Sequence, residues 1–160
     1  MLTVAIGCGC FFSRAVPLKV AEYGLEYTGF AGKSSIRTGA VTNISGSGRN
    51  FMIRSRNSRI SADETRRFAA APEEMLKALM LIRFCGENTD SVINARIIKF
   101  EFSGECRTLS AAVVFAGRIN GRNFGMTCHD SVEVKNGNYG LAVSELFDKM
   151  LTECNKKSGE

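Results

Sequence analysis

In the second half of the chain, apolar and polar residues alternate with a period of two, the mark of strands with one buried face. Ser91–Phe102 alternates, Ser103-Gly104-Glu105-Cys106 reads as a turn, and Leu109–Ile119 alternates again. Asn120-Gly121 then supplies the strongest short-range hairpin signal, and Arg122–Asp130 returns. A two-residue turn at Asn120-Gly121 pairs Ile119 with Arg122, Gly117 with Phe124, Phe115 with Met126 and Val113 with Cys128. A two-residue turn at Gly104-Glu105 pairs Phe100 with Leu109 and Ile98 with Ala111. Both turns place apolar residues on one face, which predicts a three-stranded antiparallel meander.

Two segments carry helical spacing instead. Pro72–Phe84 opens with proline and two glutamates (Glu73, Glu74), which suit the unpaired N–H groups and positive end of a helix start. Its residues are apolar on nearly every side (Met75, Leu76, Ala78, Leu79, Met80, Leu81, Ile82, Phe84), so it is buried on more than one face or covers a contact between subunits of a homo-oligomer. Gly86 is a natural stop. The second helix runs from Tyr139 to about Cys154, with Val143, Leu146, Phe147, Met150 and Leu151 on one side and Glu145, Asp148, Lys149, Thr152 and Glu153 opposite.

The first half is less regular. Arg14 to about Ala31 reads as an opening strand with Tyr23, Tyr27 and Phe30, and Gly32–Arg49 as a hairpin or loop centred on Ile-Ser-Gly-Ser-Gly. Those glycines lack the Lys-Ser/Thr of a phosphate loop and the third glycine of a dinucleotide fingerprint. Phe51–Ile53 resumes as strand and Arg54–Ser61 continues it in extended form. The order predicts an α+β domain over residues 14–155: an antiparallel sheet containing the meander, with two helices on one face and a frayed tail over 156–160.

Composition narrows the function. A hydrophobic fraction of 44% with 23% charged residues is that of a globular chain, and the formal net charge of +5 favours anionic partners. Arginines cluster at Arg49, Arg54, Arg56, Arg59, Arg66 and Arg67. They serve either to keep an edge strand from aggregating or as a rim that binds an anion or a partner. No C-x-x-C pair occurs, and the single histidine, His129, does not complete a four-ligand zinc site, so no metal or cofactor is expected. His129 neighbours the core-facing Cys128 and is expected on the opposite face. Among six cysteines, Cys85 and Cys154 end the two helices at what the order suggests is one edge of the sheet, the only pair placed for a disulfide; Cys106 and Cys128 lie too far apart. Asn43-Ile44-Ser45 matches a glycosylation sequon by pattern alone. No nucleophile–base pair or converging carboxylates emerge, which points to a non-enzymatic binding or structural component.

The first residues, MLTVAIGCGCFF, are small and apolar up to Gly7-Cys8 and resemble the end of a bacterial lipoprotein signal over 1–13, with Cys8 or Cys10 as the acylated residue; the other reading is a buried N-terminal strand. Further along, Ile53-Arg54, a hydrophobic point at Ile60 and Arg-Arg-Phe-Ala-Ala-Ala-Pro-Glu-Glu-Met-Leu resemble the core motif of the ABC-type transport auxiliary lipoprotein family. These are the PqiC/YmbA-like outer-membrane lipoproteins that accompany lipid-handling MCE systems. The family pattern has Tyr-Arg, Trp-Ala and Pro-Pro where this chain has Ile53-Arg54, Phe68-Ala69 and Ala71-Pro72. The motif-like part is Arg54–Leu79. The resemblance implies a lipid anchor at Cys8, a position on the periplasmic face of the outer membrane, and an MCE-domain protein of a lipid transporter as partner. On this reading Arg54, Arg56, Arg59 and Phe68 mark the partner-binding surface. The alternative is a soluble basic module that binds nucleic acid through the arginines, against which stands the lack of an aromatic stacking platform.

Overall fold

The computed structural model describes residues 20–26, 34–87 and 90–159. The segment 1–19, with Cys8 and Cys10, lies outside them, as do Tyr27 and Phe30. Seven strands and two helices follow in the order β1 (Ala21–Tyr23), β2 (Arg37–Asn43), β3 (Asn50–Arg54), β4 (Ile60–Phe68), α1 (Pro72–Arg83), β5 (Val92–Ser103), β6 (Thr108–Ile119), β7 (Arg122–Glu133) and α2 (Tyr139–Ser158). They form one sheet in the order β1-β4-β3-β5-β6-β7, with β2 also paired to β5. The α+β class and the helices packed on the sheet are as expected, but the sheet is mixed. β1 is parallel to β4, and β2 and β3 are both parallel to β5. Hairpin signals specify only antiparallel neighbours. Parallel pairs need a crossover: from β2 and β3 to β5 the chain passes through α1, and from β1 to β4 it passes through β2 and β3.

The meander forms. Around Asn120 (φ +50°) and Gly121 (φ +77°) the pairs Ile119–Arg122, Gly117–Phe124, Phe115–Met126 and Val113–Cys128 are those predicted. The other turn departs from the prediction. Gly104, Glu105 and Cys106 all adopt left-handed φ (+58°, +59°, +66°), and Arg107 N–H closes the turn on Ser103 O at 3.1 Å. Two more residues are thereby taken up, so Phe100 faces Ala111 and Phe102 faces Leu109. A bulge between Ile97 and Lys99 turns Ile98 outward, 38% exposed instead of in the core.

β2 lies within the stretch read as loop. Its two ends pair with β5 around an irregularity between Thr38 and Val41, where Asn94 Oδ1 accepts the Ala40 N–H at 2.8 Å. Likewise Arg54–Ser61 is not one extended run. Ser55 N–H bonds Arg59 O at 2.8 Å with Ser58 at φ +64°, folding β3 back onto β4.

α1 begins at Pro72 as the pattern required, and Glu74 Oε2 reaches back to the Ala71 N–H at 2.9 Å. It buries one face, through Met75, Leu76, Leu79 and Met80, and leaves Leu81 exposed. α2 buries the predicted apolar side, is capped by Asn138 Oδ1 on Leu141 N–H at 3.0 Å, and continues through Ser158 to Gly159 (φ +85°), past the expected end. An Arg83–Asp148 ion pair joins the helices. Between helices and sheet lies one core, centred on Phe51. Its ring sits 4.4 Å from Phe68, 4.6 Å from Phe102 and 4.9 Å from Tyr139.

The bridge between Cys85 and Cys154 does not form: Cys154 is a buried free thiol. Cys85 pairs with Arg37 on the side of β2 away from β5, whereas Cys154 belongs to α2, which packs on β7 and β6. Three strand spacings from β2 to β7 already make ~14 Å, twice the ~7 Å limit for bridged Cα atoms. The helices end at opposite sides of the sheet.

Candidate docking surface

Of the arginines singled out in the sequence, four are committed to neighbours. Arg49 and Arg67 share Glu22. Arg66 is held by Asp63, donates to Tyr139 Oη at 3.0 Å and stacks over the Phe51 and Tyr139 rings, each 5.9 Å away. Arg54 forks onto Glu101, Nε to Oε1 at 2.6 Å and Nη2 to Oε2 at 2.9 Å, and donates to Ser58 O. Burial alone would raise the Glu101 carboxyl, but the Arg54 and Lys99 hydrogen bonds and charges outweigh it and hold it below the usual range. Arg56 and Arg59 are exposed in and beside the β3–β4 turn. Phe68, expected on the surface, is 0% exposed and packs between Phe51 and Phe100. An aromatic that ends a strand and precedes a helix is drawn under that helix, and only tertiary packing reveals this.

The structure brings together a different basic set. Both helices lie on one face of the sheet; on the other, no helix covers it among the described residues. Register places on that open face the rows Arg37–Val92–Arg118–Asn123, Asn94–Ala116–Gly125, Arg96–Val114–Thr127, Lys99–Ala112–His129 and Glu101–Ser110–Ser131. His129 is exposed there, as expected. Arg37, Arg96 and Arg118 have no carboxylate partner among the described residues; Arg118 donates only to Gly121 O at 3.3 Å. Lys99 shares Glu101 with Arg54 (3.1 Å). On β2, β3, β5, β6 and β7 this face therefore sets Arg37, Arg54, Arg96, Lys99 and Arg118 against two carboxylates, Glu101 and, at the far end of β7, Glu133. Arg37 and Arg118 stand two strands apart, ~10 Å, and Arg96 lies four residues along β5 from Val92, ~13 Å. Ile44, whose N–H bonds Ile97 O at 2.9 Å, and Ile98 add exposed apolar surface beside the bulge. The signal was present in the sequence as the polar half of the alternation that defines the core.

Beside this face, at one end of the sheet, a groove of about 1020 Å³ is lined by Arg54, Arg56 and Arg107 but also by Glu105 and Glu133. Its charges nearly balance, so the electropositive surface is the open face and not the groove. The arrangement can attract and orient an anionic surface.

The fold defines an α+β sheet-and-helix domain with one face covered by helices and the other free of them among the described residues. Two solved structures are similar to it. One is described as an uncharacterized protein, with a TM-score of 0.61 and 10% identity, covering 88% of this chain and 97% of that chain. The other is protein XCC0632 from Xanthomonas campestris, of family DUF330, with a TM-score of 0.56 and 10% identity, covering 84% of this chain and 92% of that one. At this identity the likeness is one of fold. Comparison with protein-family models and with curated proteins gives no match.

Proposed function

We propose that this protein is a non-enzymatic docking subunit of an ABC/MCE-type intermembrane lipid-transport system, anchored through acylated Cys8 at the periplasmic face of the outer membrane. The observation that carries the docking role is the division of the sheet: one face closed by helices, the other basic and with no helix over it among the described residues. The anchor and the transport system rest on the motif resemblance at Arg54–Leu79. The likeness in fold to a DUF330 protein adds that such an architecture occurs elsewhere at near-full chain coverage. Within this reading Arg54 shapes the surface through Glu101, Arg56 and Arg59 extend it at the turn, and Phe68 supports it from within the core. Nucleic-acid binding by the Arg49–Arg67 cluster is the weaker reading, because Arg49, Arg54, Arg66 and Arg67 are already engaged by carboxylates.

The test is the intact mass of the protein expressed from its native upstream region, after membrane fractionation. A membrane-bound product beginning at acylated Cys8, co-purifying with an MCE-domain protein, supports the proposal. A soluble chain that retains Met1 overturns the anchor.

A further inference from the structure

The open face is specific enough to say what kind of surface covers it. Along β6 the residues of this face are small: Ser110, Val114 and Ala116, with Ala112 between them already buried. On one side Arg96 and Lys99 of β5 rise beside them; on the other, β7 offers Gly125, Thr127, His129 and Ser131, shorter on average. Arg118 and Arg37 close one end. The result is a shallow bed with a cationic ridge along one flank. A helix resting on a sheet keeps its axis about 10 Å above it, and a helix with side chains is ~10–12 Å across, close to the two strand spacings between β5 and β7. Arg96 and Lys99 stand in neighbouring rows, opposite Val114 and Ala112, because the bulge takes up one residue between them, so they are ~7 Å apart along the strand. Carboxylates four residues apart on a helix, at ~1.5 Å per residue, match that spacing.

We infer that the open face receives an acidic amphipathic helix of a partner protein, laid along β6 with its carboxylates against Arg96, Lys99 and Arg118 and its small apolar side on Val114 and Ala116. This deepens the docking reading and rests on it. Charge complementarity selects the partner: Arg37, Arg96 and Arg118 on this face have no carboxylate partner among the described residues, and Glu101 is already shared by Arg54 and Lys99. A single-stranded nucleic acid would want rings to stack on, and Phe51, Phe68, Phe100, Phe102, Phe115 and Phe147 are all on the core side.

The probe is a synthetic helical peptide of about 20 residues, ~30 Å long, with alanine and leucine on one face and glutamates on the flank. The controls are its lysine counterpart, an oligonucleotide of similar length, and vesicles containing anionic phospholipid. The expected result is saturable, salt-sensitive binding of the acidic peptide alone, with amide-shift changes at Asn94, Arg96, Val114, Ala116 and Thr127. The double variant Arg96→Ala/Arg118→Ala, exposed and remote from the core, weakens it at least tenfold while its melting curve stays unchanged. Ala116→Arg discriminates further. It adds a cation yet fills the bed, so a seated helix is lost, whereas diffuse attraction would strengthen. No peptide binding at low salt, stronger binding by Ala116→Arg, or preferential binding of oligonucleotide or vesicles each overturns the inference. An acylated, membrane-bound protein that ignores the peptide would overturn the helical partner and leave the anchored subunit standing.

Discussion

Phe68 separates a surface role from a core role, and replacing it with alanine decides between them. Its side chain is fully buried, with ring centroids 4.4 Å from Phe51, 5.7 Å from Phe100 and 6.1 Å from Phe102. Truncating a buried phenylalanine costs ~3–5 kcal/mol, because the transfer free energy is lost and a cavity remains. Stability of the whole domain at ~0.05–0.15 kcal/mol per residue is of order 10 kcal/mol, so the variant keeps its fold with much of its margin gone. At ~2–4 °C per kcal/mol for a chain of this size, Tm should fall by roughly 6–20 °C. Urea titration followed by circular dichroism should show a lower midpoint at unchanged slope. Arg56→Ala, on the exposed turn, is the control and should leave the midpoint where it was. A Phe68→Ala midpoint within ~1 kcal/mol of the wild type would refute the buried placement and return Phe68 to the surface.

Three further outcomes follow from the same geometry. The Glu101 carboxyl is held below its ordinary value, so its contribution is present above the unfolded value of ~4.3 and lost as pH falls through the lower folded value. Denaturation at pH 7 and at acid pH should therefore show Glu101→Gln clearly less stable than wild type at the higher pH, with the gap narrowing as pH falls, and a gap that does not change with pH would show that the ion pair contributes nothing. At Gly117 an added Cβ would sit 1.9 Å from the Val92 carbonyl oxygen, backbone against backbone, so Gly117→Ala should cost ~1–3 kcal/mol in the same titration; a neutral result would mean that β5 and β6 are less tightly paired there. Burial, then the Glu153 charge, pushes the Cys128 thiol up to about 11, and burial, then Cys128, pushes Cys154 up to about 12. Peptide mapping after alkylation at pH 8 should find both unmodified in native protein and modified beyond the urea midpoint; native modification would contradict their burial, Cys128 on β7 and Cys154 on α2.

Much of the candidate site was readable only in part. The two-residue turn at Asn120-Gly121 fixed the β6–β7 register because a type of turn with positive φ at both positions selects those residues and sets the pairing directly. The β5–β6 turn was misjudged because Glu105 and Cys106 carry no preference for the left-handed region that they occupy. β2 escaped notice since its Arg-Thr-Gly-Ala-Val-Thr-Asn run has little apolar alternation of its own, and it becomes a strand by pairing with β5. The arginine cluster was visible, but its ion pairs with Glu22, Asp63 and Glu101 join residues up to 47 apart in sequence.

What the sequence by itself determined are the features set by neighbours along the chain. These are the helix start at Pro72, the amphipathic face of α2, the meander and its apolar side, and therefore the α+β class. Only the tertiary structure decided that β2 and β3 run parallel to β5, that Phe68 lies in the core, that Cys85 and Cys154 stand at opposite sides of the sheet, and that Arg37, Arg96 and Arg118 share one open face. The physical reason is the range of the forces involved. Turn and capping preferences act over three or four residues, whereas burial and charge act between groups that the chain brings together from far apart.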